Sequence, residues 1–145
     1  VTGVKLAFNQ TPKTFAVAGL IFDAVRIPHA GWPGRAEVEN LIFRVTVDNE
    51  KSPITVMHMG DADPDDQHYL PFKQHWQSRL TDTAFPPYWF YLSAEGRDIL
   101  KGMLNIKRSV GIHVPREVPN SLKRSDEDYF SEPGESRTID STHQH

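Results

Sequence analysis

The stretch "LIFRVTVDNEKSPITVMHMGDADPDD", residues 41–66, reads as two strands and an acidic loop. Apolar and polar residues alternate through Leu41 to Val47 and again through Ile54 to Met59, and a period of two sends every second side chain to one face of a sheet. Between them "DNEKSP" has the composition of a turn, so the two strands form a hairpin. The second strand runs through Gly60 into Asp61, Asp63, Asp65 and Asp66. Such an ending either opens a solvated helix entry or delivers a ligand to a site at the end of the sheet.

Outward from this hairpin the pattern continues as α/β. Upstream, Val4 to Phe8, Phe15 to Val17 and Leu20 to Ile27 carry strand-like alternation, Gly19 marks a turn, and "HAGWPGRAEVEN" is a loop. Downstream, Tyr69, Phe72, Trp76 and Leu80 recur at spacings of three and four, which predicts a helix from about Pro71 to Leu80. "FPPYWFYL" reads as extended. Ser93 is placed to cap a second helix whose Ile99, Leu100, Met103 and Leu104 share one face. Ser109 to His113 reads as a short strand, and the last dozen residues as loosely ordered apart from Arg137 to Ile139.

A chain of 145 residues is long enough for one domain that buries about two-thirds of its unfolded surface. The mean hydropathy of -0.51, with eleven prolines and nine glycines, implies much loop. With a net charge of -3 and scattered lysines and arginines, nothing favours a grip on nucleic acid. Without cysteine, any metal must be held by His, Asp and Glu. No apolar stretch approaches the roughly 20 residues of a membrane span, which fits a soluble protein of the cytoplasm or periplasm. The first residue is Val1 rather than Met, as expected if an upstream piece has been removed.

Three candidate ligands occupy equivalent places. His29 follows "VRIP", Asp61 follows "ITVMHMG" and His113 follows "RSVGI", each at or just beyond the C-terminal end of an apolar run. Open α/β sheets place ligands at such ends. Two imidazoles and a carboxylate suit zinc, iron or manganese, and a carboxylate can bridge two ions.

The order "IPHAGWPGRAEVENLIFRV", "ITVMHMGDADPDD", "FPPYWFYLSAEGRDIL", "SVGIHVPRE" resembles the C-terminal half of the metallo-β-lactamase fold metallohydrolases, lactonase-like and phospholipase-D-like members above all. The resemblance covers roughly residues 15–140, and "YFSEPGESRTI" is similar to the family's closing strand. It implies the second half of an αββα sandwich over residues 1–130, with a mixed, largely antiparallel sheet and helices on one face, then a closing strand and flexible tail over 131–145. It implies His29, Asp61 and His113 as ligands of a dinuclear centre of two divalent ions, zinc first, with iron or manganese as alternatives. Asp61 would be the catalytic bridge in hydrolysis of a small-molecule ester, lactone, amide or phosphodiester. The signature His-x-His-x-Asp-His is absent from this chain. The other ligands are therefore expected on a missing N-terminal half. Two alternatives stand beside this: a non-catalytic half-domain that pairs with another chain or with its own copy as a homo-oligomer, and a mononuclear metal protein using the three residues alone.

Other residues have plainer expectations. Asp63, Asp65 and Asp66 fit a solvated helix entry, His68 and His75 the surface, and His58 a satisfied sheet position. His143 and His145 belong to the tail. Tyr88 to Tyr91 and Trp32 fit core, interface or a substrate groove. Arg35 and Asn40 fit either loop-fixing hydrogen bonds or anion binding.

Overall fold

The computed structural model describes residues 3–8, 10–48 and 51–140. Leu41–Val47 (β3) and Ile54–His58 (β4) pair antiparallel, with Val47 opposite Ile54 and Phe43 opposite His58. Ahead of them Lys13–Val17 (β1) and Leu20–Arg26 (β2) form a tighter hairpin. Its two linking residues, Ala18 and Gly19, have φ of 48° and 80°, the left-handed backbone a two-residue turn needs to match strand twist. Residues 4–8, expected as a strand, form none, although Leu6 is buried.

Thr81–Phe85 (β5) and Ile106–Ser109 (β6) complete a six-stranded mixed sheet in the order β1-β2-β3-β4-β5-β6. The last two pairings are parallel, so each requires a crossover. The first carries a 3-10 turn at Leu70–Phe72 and Lys73–Gln77 (α1); the second carries a 3-10 segment at Tyr88–Leu92 and Ala94–Asp98 (α2). Asn120–Lys123 (α3) follows β6. Among the described residues no helix is long and apolar enough to cross a membrane.

Several local expectations are corrected. The helix predicted to Leu80 stops near Ser78, because the Arg44 guanidinium donates to the carbonyls of His75 and Arg79 and the chain enters β5. The "YWFYL" run is helical rather than extended. Ser93 does cap α2, accepting from Gly96 N, and the helix continues as a π turn through Met103. The closing strand reduces to a single parallel bridge between Gly111 and Tyr129. Beyond it Glu135 ties the Ser131–Glu132 backbone into a turn. His143 and His145 lie outside the described residues.

Alternation sorts the sheet into two faces. Val25, Ile42, Met57 and Ala84 point to one side and pack with Phe72, Trp76, Phe90, Ile99, Leu100 and Leu122, so the helices gather over that face. Phe22, Phe43, Val45, Val56 and Phe85 point the other way and stay half-buried, with Val17 and Val47 exposed.

Candidate metal centre

The site begins with the turn after β4. Gly60 has φ of 59°, and a Cβ there would run into Asn40 Oδ1. That oxygen accepts from Asp61 N at 2.9 Å while Asn40 Nδ2 donates to Met59 O at 3.3 Å. Asn40 is therefore a loop-fixing residue, buried beneath the carboxylate it presents.

The loop of His29 is laced to the loop of Asp61. Ala30 N donates to Asp61 O at 2.8 Å, Asp63 N donates to Pro28 O at 2.9 Å, and His29 bridges Ala62. His29 Nε2 consequently lies 3.2 Å from Asp61 Oδ2. His113 arrives from beyond β6 with φ of 60°, and its Nε2 lies 3.0 Å from Asp61 Oδ1. Trp89 steadies this side: its ring stacks on the His113 ring at 6.0 Å and 17°, and its Nε1 donates to Ala62 O. Residues far apart in sequence thus converge on one carboxylate. Each histidine takes a different oxygen.

The protonation geometry is informative. His29 Nδ1 sits 2.8 Å from Ala30 O; a carbonyl only accepts, so Nδ1 carries the hydrogen. In the neutral ring Nε2 is then a lone pair facing a carboxylate oxygen. Two acceptors at that distance repel unless a proton or a metal ion lies between them. A backbone carbonyl that orients an imidazole in this way is a recurrent support for a metal-binding histidine. The donor set, neutral nitrogen with anionic oxygen, fits zinc, iron or manganese.

His58 stands beside this set. Its Nδ1 accepts from Gly60 N at 3.1 Å, so its neutral ring carries the hydrogen on Nε2. Burial pulls its pKa down, the His113 charge adds to that, and Asp61 opposes it.

The acidic loop divides differently from expectation. Asp65 does cap the short 3-10 turn at Asp66–His68, accepting from Gln67 N. Asp63 is not solvated: it accepts from Gly31 N and lies 3.2 Å from His68 Nε2, and the two side chains are 14% and 12% exposed. His68 is correspondingly not a surface histidine. Asp63, Asp65 and His68 have ligand atoms within 4.8 Å of one another, as do Asp65, Asp66 and Glu95. His75 is half-buried against Trp76 rather than solvated, and burial with the Arg44 charge lowers its pKa to about 4.

No family model, curated protein or solved structure matches this chain.

Proposed function

We propose that this chain contributes His29, Asp61 and His113 to the dinuclear centre of a metal-dependent hydrolase, as in the second half of a metallo-β-lactamase-type domain. One observation carries the reading: the two oxygens of a single half-exposed carboxylate each face a different histidine Nε2, at 3.2 and 3.0 Å. A carboxylate used from both sides suits a bridge. When bound, two divalent ions would bring the pKa of a water toward neutrality and offset charge developing on an ester, lactone, amide or phosphodiester oxygen.

The chain's own residues have separable tasks in this reading. Asp61 bridges, His29 and His113 anchor one side each, the Ala30 carbonyl selects the His29 tautomer, and Trp89 holds the His113 ring. Asn40 and Gly60 set the direction of the bridge. The remaining ligands would come from a segment bearing His-x-His-x-Asp-His.

A second reading, a half-domain that pairs with another chain without catalysis, is favoured by the half-exposed apolar face of Phe22, Phe43, Val45, Val56 and Phe85. Zinc calorimetry on the wild type and on Asp61→Ala, followed by ester and lactone turnover in the assembly with the signature-bearing segment, separates the two. The hydrolase reading expects zinc binding and turnover, both lost in Asp61→Ala. Equal zinc binding by the two proteins, or a metal-free assembly, sinks it.

A further inference from the structure

A pocket adjoins the His29 loop without using the three ligands. Phe8, Arg26, Pro28, Trp32, Gln67, His68 and Phe72 enclose about 180 Å³. That is room for about six waters at roughly 30 Å³ each. Pro28 immediately precedes His29 and Trp32 lies in the same loop, so the pocket lies beside the loop that carries His29.

Its chemistry is set by Arg26, whose side chain is 13% exposed. Nη1 donates to Leu6 O at 3.0 Å, and the guanidinium lies 3.9 Å from the centre of the Phe8 ring. Nε is buried and has no hydrogen-bond partner. Nη2 makes no hydrogen bond or ion pair among the described residues. The edge left without protein partners is thus the Nε–Nη2 pair, two parallel donors at the spacing of two oxygens of one carboxylate or phosphate; Nε is covered, so an oxyanion reaches it only if Phe8 or Trp32, each over a third exposed, gives way. A buried donor left without a partner is costly unless something meets it.

The surrounding charges leave the position open to an anion. Glu39 Oε1 is 3.8 Å from Nη1, on the engaged side of the guanidinium, and its side chain is 59% exposed. Asp63 is occupied by Gly31 N and His68. Trp32 and Phe8 meet edge to face at 5.1 Å, and Trp32 also meets His68 at 5.5 Å. The Phe8 ring covers one face of the guanidinium, and a charge-assisted pair formed beside it gains from the lower local dielectric.

We propose that this pocket binds a compact oxyanion, a carboxylate or phosphate group, on the Nε–Nη2 edge of Arg26. In combination with the hydrolase reading, on which this one step rests, the pocket would hold the anionic group of a small substrate whose scissile bond lies over Asp61.

The test follows the Arg26 Nε–H resonance by NMR while acetate, phosphate and chloride are titrated separately at matched ionic strength into metal-free protein. A saturable shift with acetate or phosphate but not chloride, and its loss at Trp32 and Gln67 in Arg26→Gln, is the expected result. The acetate and phosphate arms tell the two oxyanions apart. A shift common to all three anions, no saturation by about 100 mM, or the same Trp32 response in a folded Arg26→Gln protein overturns the proposal. Should Arg26→Gln fail to fold, the wild-type titration still decides, with Trp32→Ala as the second variant expected to weaken binding severalfold. Zinc titration in the same samples reads His29 and His113 independently, so failure of the metal reading and failure of this pocket give different spectra.

Discussion

Asp23 and Asp61 each offer two carboxylate oxygens to two partners, yet the two regions behave as opposites. The Asp23 side chain is 9% exposed; Thr14 Oγ1 donates to one oxygen and Arg44 Nε to the other, at 2.7 and 3.0 Å. Arg44 spends its remaining donors on the His75 and Arg79 carbonyls and Ser78 Oγ. The Asp23 carboxylate and the Arg44 guanidinium meet their complements there, and the network ties α1 to the sheet, although His75 Nε2 stays buried without a hydrogen-bond partner. The Asp61 side chain is 42% exposed, and in the neutral ring the His29 nitrogen that faces it directs a lone pair at the carboxylate. A polar cluster closed on itself is structure. One closed only by an added cation or proton is a candidate site.

Breaking the closed region should have the largest effect. Arg44→Met leaves the buried Asp23 carboxylate with only its Thr14 donor and frees the His75 and Arg79 carbonyls in and after α1, and urea unfolding should register a loss of about 3–5 kcal/mol. A loss under about 1 kcal/mol would mean that the network is not holding α1.

Asp61→Asn reverses that pattern. Stability should stay within about 1 kcal/mol of wild type because the group is half-exposed. Zinc affinity should fall roughly 100-fold or more by calorimetry, beyond the loss typical of supporting residues. Unchanged affinity would move Asp61 into the structural class.

Gly60→Ala sharpens the contrast by touching both properties. A left-handed φ and the collision with Asn40 Oδ1 should cost about 2 kcal/mol, and zinc binding should weaken with the displaced turn. Thermal unfolding and calorimetry on the same variant check whether the two losses travel together.

The smallest effect is a pH response of the closed region. His75 has its pKa lowered to about 4 by burial first and the Arg44 charge second, against about 6.5 unfolded. The unfolded chain therefore takes up the proton first, and stability falls as pH drops from about 6.5 toward 4. Discounted for partial exposure, the loss should be about 1–2 kcal/mol. His75→Phe keeps the ring against Trp76 and should flatten that part of the stability profile.

Legibility in the sequence followed the range of the forces involved. The β2, β3 and β4 strands show a period of two that depends only on near neighbours, and the Ser93 cap is a contact within one turn. "TDTAF" was not legible as β5, because its polar residues look like a loop until Asp82 is seen accepting from Thr55 N. "YWFYL" reads locally as extended because aromatic residues favour strands, whereas in the fold it is helical, with Phe90 and Tyr91 buried. Asp63 and His68 looked solvated because their contacts lie with Gly31 and with each other across a folded loop.

Sequence by itself determined the α/β alternation, the hairpin of β3 and β4, and the choice of His29, Asp61 and His113 as residues ending apolar runs. Tertiary structure alone decided that these three meet, which oxygen each histidine takes, and that Trp89 backs His113. It also decided which polar clusters close on themselves. Hydrogen-bond complementarity between distant segments has no local periodicity, so it exists only once the sheet has brought those segments together.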